Sequence, residues 1–312
     1  MKINTADSLL KFKAWLFLIR FPNLFTVPGD AVFAYLVMNG KIDSPLFVFL
    51  ILAVLSFYAF GLVTNDIADL ETDMRERPRR PLPSGRISVR SAKFAAFAFG
   101  LSGLLLSLLC GKEAFLAGII LVMLIYGYNF RVKNVPFLGP ASLALCRMMG
   151  LLLGLFAAHS RMLSSDILFP AVVFLVTYVF WISVSAQVEV EEGRRKTVLL
   201  GGWLIAVLAV LWIPAGFYFS SEMMDLMGEI TPSICFAVTL SVILAASALK
   251  NILVLHLKYK TSKVPAFIGD SIRNLIIFQS SACAFAGFMD EASCLLLLFM
   301  PAWIFSKKFY QS

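Results

Sequence analysis

The stretch Asn65-Asp66-Ile67-Ala68-Asp69-Leu70-Glu71-Thr72-Asp73 follows directly on an apolar run, Leu46 to Val63. Asp66, Asp69 and Asp73 are spaced three and four residues apart, so on a helix their carboxylates share one face. Three like charges at the end of a membrane-length helix repel one another. A cation between them relieves that repulsion, and a hard divalent ion such as Mg2+, carrying a phosphate, suits oxygen donors best. Asn65 offers a further oxygen at the same place. A solvated acidic helix end is the plainer reading, but it leaves the neighbouring arginines unexplained.

Those arginines stand in Arg75-Glu76-Arg77-Pro78-Arg79-Arg80-Pro81-Leu82-Pro83-Ser84-Gly85-Arg86. Three prolines and a glycine prevent a long helix here. Arginine makes forked contacts to phosphate oxygens, so Arg77 and its neighbours are anion-binding candidates. A second acid-then-base segment runs Gln187-Val188-Glu189-Val190-Glu191-Glu192, then Gly193-Arg194-Arg195-Lys196. Between the two lies Tyr126-Gly127-Tyr128-Asn129-Phe130-Arg131-Val132-Lys133, whose Arg131 and Lys133 emerge on the same side as the carboxylates. Arg147 falls about two turns inside an apolar run, where a charge is costly unless it is paired. Its expected partners are carboxylates at the mouth or a ligand phosphate.

The elements that must carry these groups are membrane helices. Of the 312 residues 60% are hydrophobic and 15% charged, and about 20 apolar residues span the hydrocarbon core as a helix. The runs are continuous and not alternating, which argues for helices over a barrel. Spans are predicted at 15–38, 45–64, 92–110, 114–130, 138–158, 167–186, 198–219, 232–255, 271–288 and 292–306. With these spans alternating across the bilayer, 23 of the 27 lysines and arginines fall on the side of the N-terminus. The positive-inside rule makes that side cytoplasmic. The polar, basic start with no early small-residue cleavage site argues against a removable leader and for a retained first span. The net charge of +8 reflects this asymmetry and is not read as a nucleic-acid surface. The five cysteines lie in apolar segments without a CxxC pair, so they are expected to be small buried side chains. One domain over 1–312 is expected, in a membrane that would be the inner membrane if the source is bacterial.

The chain resembles the intramembrane prenyltransferases of the UbiA type. Asn65-Asp66-x-x-Asp69-x-x-x-Asp73 matches that family's first acidic motif, and Arg77 to Arg86 is similar to the basic, proline-containing segment that comes after that motif in the family. Arg20-Phe-Pro-Asn23-Leu-Phe-Thr-Val-Pro and Tyr126 to Lys133 add support. The first span and Asp270 to Gln279 are similar to a divergent branch labelled EboC-like. The resemblance implies an all-α integral membrane bundle of nine to ten transmembrane helices around a central cavity. It implies two Mg2+ ions, a polyprenyl diphosphate donor, and an aromatic or lipid-pathway acceptor that captures an allylic cation. By the same resemblance Asn65, Asp66, Asp69 and Asp73 hold one metal, and Gln187, Glu189, Glu191 and Glu192 supply the other. Lys133, Arg147, Arg77, Arg131 and Arg194 bind the diphosphate, and Tyr126 or Tyr128 stabilises the cation. The chain departs from the family pattern at Gln187 and Gln279, where acids are usual, and at Met149. A relative that binds an isoprenoid diphosphate without turnover is the other reading.

Overall fold

The computed structural model describes residues 5–42, 44–158, 166–187, 195–220 and 231–309. Its elements are helical. α1 (Thr5–Leu18), α2 (Phe21–Leu24) and α3 (Pro28–Asn39) precede α4 (Leu46–Ala68) and α5 (Leu70–Glu76). α6 (Val89–Cys110) and α7 (Lys112–Gly127) lead into a π-helical turn, Tyr128–Val132, and then α8 (Leu138–Ala157). α9 (Leu168–Gln187), α10 (Arg195–Tyr218), α11 (Pro232–Leu257), α12 (Val264–Phe285), α13 (Met289–Leu297) and α14 (Phe299–Phe309) complete the described chain. Among the described residues eight helical segments are long and apolar enough to cross a membrane, α13 and α14 counting together as one. The chain is an integral membrane protein.

The expected first span, 15–38, is not one helix. Arg20 takes a left-handed conformation at φ 42°, and Pro22 and Pro28 each occupy the first turn of a new helix. A left-handed residue ends a helix, while proline starts one readily because its missing N–H would have no partner there. α1 therefore packs through Ala14 and Leu18 against Val63, Leu82 and Ile87, at the level where α4 ends. α3 begins deeper and is buried for most of its length. α12 also starts earlier than the predicted 271–288 and carries Asp270, Arg273, Asn274 and Gln279; from Asn274 to Phe285 every residue is buried. It is the interior helix of the second half of the chain, bounded by α11, α3 and α9. The last predicted span is broken at Leu298, between α13 and α14.

Close approaches fix the start of α3. A Cβ on Gly154 of α8 would overlap the carbonyl oxygen of Ala31, and one on Gly29 would overlap the Gln279 side chain. Glycine at both places lets α8 and α12 clamp the first turn of α3. Asp30 sits in that turn, where the helix dipole favours an anion.

The arginine–proline segment folds back as a tethered turn. Leu82 and Ile87 are buried in the cluster with α1 and α4, and the Ile87 amide donates to the Pro81 carbonyl at 3.1 Å. Arg86 donates to the Arg79 carbonyl at 2.6 Å, so it is a brace for the turn. Ser88 caps α6 by accepting from the Ser91 amide at 3.1 Å, as a serine at that position does. Cys110 and Cys283 are buried as expected, but Cys235 and Cys294 are exposed on outer helix faces, where lipid tolerates a small apolar thiol.

Candidate functional site

α4 does not run unbroken through the acidic stretch. It ends at Ala68, Asp69 is the joint, and α5 carries on to Glu76. The backbone bonds Asp69 N–H to Asn65 O (2.9 Å) and Asp73 N–H to Asp69 O (2.8 Å) keep the register nearly helical. The three aspartates stay on neighbouring turns, but each faces its own cation. Arg20 lies 3.8 Å from Asp66. Lys133 is ion-paired with Asp69, whose other oxygen accepts from Asn65 Nδ2 at 3.1 Å. Arg80 holds Asp73 at 2.7 Å. The expectation that the three carboxylates converge on one ion is not met in this arrangement: among the described residues no group of three acidic, histidine or cysteine side chains is placed to hold a metal.

The donor set still suits Mg2+. It consists of hard oxygens, as that ion requires. Asp66 is buried at 7% exposure, and its Oδ1 has no hydrogen-bond partner. That oxygen faces Arg20 only at 3.8 Å, too far for a hydrogen bond, which leaves its hydrogen-bonding capacity for a ligand.

Lys133 reaches Asp69 because of the π-turn. Its amide bonds back to Tyr128 O at 3.0 Å, five residues away, and such a widened turn is a frequent feature of functional sites. Buried Asn129 pins the turn to α4 by donating to Gly61 O (3.0 Å) and Thr64 Oγ (2.7 Å). Gln187, expected as a metal ligand, donates its amide to the Lys133 carbonyl, which ties the end of α9 to the same turn. Glu189, Glu191, Glu192 and Arg194 lie outside the described residues.

Below the mouth a cavity of about 260 Å³ opens into the bundle. Arg20, Asn23, Asn65, Tyr128 and Asn129 stand among its lining; apolar wall is supplied by Val54, Phe57, Leu62, Ile125, Ile182 and Leu275. Asp30, Thr26 and Arg147 line it further along α3 and α8. Arg147 is not paired with a mouth carboxylate. It is ion-paired with Asp30 and donates to the Thr26 carbonyl. Gln279 donates to the same carbonyl at 2.8 Å and to Asp30 at 2.7 Å. The pairing follows from the depth of α3: only a helix that starts inside the bundle presents Asp30 and a free carbonyl at that level.

The other candidates divide cleanly. Tyr128 lines the cavity, whereas Tyr126 is 56% exposed and packs on Phe130 at 4.7 Å between ring centres. Arg77 and Arg131 are exposed and make no ion pair among the described residues; Arg80 is the arginine of that turn that pairs with Asp73. Met149 is buried core. Sequence reasoning missed Asp30, Arg80 and the use of Arg20 as an ion-pair partner. Asp30 had a signal of its own, an acid inside an apolar run.

The UbiA prenyltransferase family matches residues 24–268. A digeranylgeranylglyceryl phosphate synthase of Sulfolobus acidocaldarius is 30% identical over 191 residues, 60% of this chain and 67% of that one. Another from Sulfurisphaera tokodaii is 31% identical over 137 residues, 44% of this chain and 49% of that one. The matched stretches thus span about half to two thirds of these relatives. Among solved structures, a UbiA homologue from Aeropyrum pernix K1 has a TM-score of 0.63 at 17% identity, covering 83% of this chain and 96% of that one. A UbiA homologue from Archaeoglobus fulgidus, bound to GPP and Mg2+, has a TM-score of 0.60 at 18% identity, covering 91% and 99%. At that identity the likeness is one of fold.

Proposed function

The chain belongs to the UbiA prenyltransferase family, and we propose that it transfers a prenyl group from a prenyl diphosphate to an acceptor within the membrane, with Mg2+. The observation that carries this reading is the junction of two environments: a mouth of three carboxylates and three cations opens onto an apolar-walled cavity inside a lipid-embedded bundle. Such a site accommodates a ligand with an anionic head and a hydrocarbon tail. The acceptor is a lipid-pathway alcohol, a choice supported by the relatives, whose names specify a digeranylgeranylglyceryl phosphate product.

Asn65, Asp66, Asp69 and Asp73 would hold the metal, which when bound neutralises the diphosphate and makes it a better leaving group. The acids at 189–192, with Gln187, are proposed for a second ion. Arg20, Lys133 and Arg80 offer the cationic groups for the phosphate oxygens. The donor C–O bond breaks and its electron pair leaves with the diphosphate. The acceptor oxygen supplies the pair for the new C–O bond and gives up its proton to the released diphosphate. Between these events the Tyr128 ring faces the allylic cation, and the apolar walls keep water from capturing it. The mouth is assigned to the cytoplasmic side on the charge asymmetry of the sequence, and the whole chain acts as one domain.

The test is a transfer assay on membranes holding the protein, with radiolabelled geranyl, farnesyl and geranylgeranyl diphosphates. Geranylgeranylglyceryl phosphate and a panel of phenols serve as acceptors. Metal-dependent formation of a prenyl ether on the lipid supports the reading. Prenylation of phenols alone overturns the acceptor, and diphosphate binding without transfer to anything overturns the enzyme.

A further inference from the structure

A second cavity lies away from the acidic mouth, where α12 begins and α14 ends. Its volume is about 340 Å³, and Ser262, Gly269, Arg273, Ser306 and Lys307 stand among its lining. The end of α14 is on the same side of the bundle as the mouth: Phe305 packs on Phe21 and Phe25, next to Arg20 in the chain, at 5.1 and 6.1 Å between ring centres. Two of the lining groups are cations. Arg273 is ion-paired with Asp270 one turn back along α12, and its side chain is only 14% exposed. Lys307 makes no ion pair among the described residues; its Nζ rests 3.4 Å from the centre of the Trp303 ring. Asp270 offsets one of the two cations, so the notch keeps a net positive charge.

Cations that only anchor a helix end need no recess. Gly269 shapes this one: a Cβ there would meet only Arg273 Nη1 within 4 Å, at 3.6 Å, so the space beside the guanidinium is open. A guanidinium has more N–H donors than Asp270 engages, and its fork fits phosphate oxygens. The Lys307 ammonium adds a compact point charge. Beside the notch, Met300, Trp303, Ile304 and Lys307 are spaced to share one face of α14, and the three apolar ones are exposed. An apolar stripe that ends in tryptophan and lysine is what a helix presents where hydrocarbon gives way to headgroups. The notch therefore opens at the depth of the lipid phosphates, and basic recesses between membrane helices at that depth suit anionic headgroups.

We propose that this notch binds a phosphate group, and that the apolar stripe beside it selects one carried by an anionic lipid. Arg273 grips the phosphate, Lys307 swings from the Trp303 ring to a second oxygen, and the acyl chains follow the outer face of α14. The bound lipid bridges α12 to α14. The site is separate from the central cavity and does not depend on the transfer reading.

The test uses the full chain, delipidated in detergent micelles and titrated under native mass spectrometry. Dioleoylphosphatidylglycerol, dioleoylphosphatidylcholine and inorganic phosphate are the probes. Phosphatidylglycerol is expected to bind one per chain, about ten-fold or more tighter than phosphatidylcholine. Arg273→Gln and Lys307→Gln should each weaken it by about ten-fold, the scale of one lost charge-assisted hydrogen bond. Gly269→Leu fills the open space with both cations kept, and it should block binding outright. Lys258→Gln removes an exposed lysine at the end of α11, outside the notch, and should change nothing. Size-exclusion and melting profiles identify variants that fold, and phosphatidylglycerol should raise the melting temperature of the parent chain but not of Gly269→Leu. Inorganic phosphate that binds alone and displaces the lipid upholds the phosphate site and overturns the lipid as its source. Equal weakening by Lys258→Gln and Arg273→Gln means a response to surface charge alone and overturns the proposal. So does binding that survives Gly269→Leu.

Discussion

Arg147 on α8 is ion-paired with Asp30 in the first turn of α3, and Gln279 on α12 donates to the same carboxylate. Three helices distant in sequence thus meet at one buried charge pair. Removing one partner leaves the other charge buried and unpaired, which costs about 3–5 kcal/mol. Arg147→Gln and Asp30→Asn should each lower the melting temperature of the detergent-solubilised protein, and the double variant should be less destabilised than the two effects summed. Equal melting of Arg147→Gln and the parent chain would mean that the pair does not hold α3 in place.

In the proposed reaction the acidic stretch holds the metal. Asp66→Ala and Asp69→Ala should each reduce metal-dependent diphosphate release by about 10²-fold or more, the scale of losing one preorganised electrostatic group. Chelation with EDTA should abolish release in the parent chain, and added Mg2+ should restore it. Activity that survives chelation would remove the metal from the account.

The two tyrosines separate by position. Tyr128→Leu should slow transfer by about ten-fold, the scale of a desolvated cation–ring contact. Tyr126→Leu should change it little, because that ring faces outward against Phe130. The reverse order in measured kcat would show that Tyr126 reaches the reacting carbon.

Gly150 lines the cavity, and a Cβ built there meets nothing within 4 Å. Gly150→Phe should therefore project into the open space without disturbing the packing of α8. Donor preference should shift toward geranyl diphosphate over geranylgeranyl diphosphate, read as the ratio of kcat/KM for the two. An unchanged ratio would place the prenyl tail elsewhere.

Much of this molecule is legible in its composition and local spacing. Long apolar runs must become helices because lipid offers no partner for free backbone groups, and the helices from Leu46 to Leu257 begin and end close to where hydropathy puts them, whereas α12 starts at Val264 and the last span is broken at Leu298. The spacing of Asp66, Asp69 and Asp73 put the site at one helix end, because short-range periodicity survives into the structure. The path of the first span was not legible. Its apolar content reads as continuous, whereas Arg20, Pro22 and Pro28 divide it, and hydropathy is blind to a backbone conformation.

What the sequence alone determined is the class of solvent around the chain and the charged character of the mouth, since both follow from residue type and near-neighbour spacing. The partnerships were decided by tertiary structure. Arg80 rather than Arg77 meets Asp73, Arg147 meets Asp30 rather than a mouth carboxylate, and Tyr128 rather than Tyr126 faces the cavity. The reason is physical: a charge in a low-dielectric interior must find an opposite charge at its own depth, and depth is set by where helices start, break and widen.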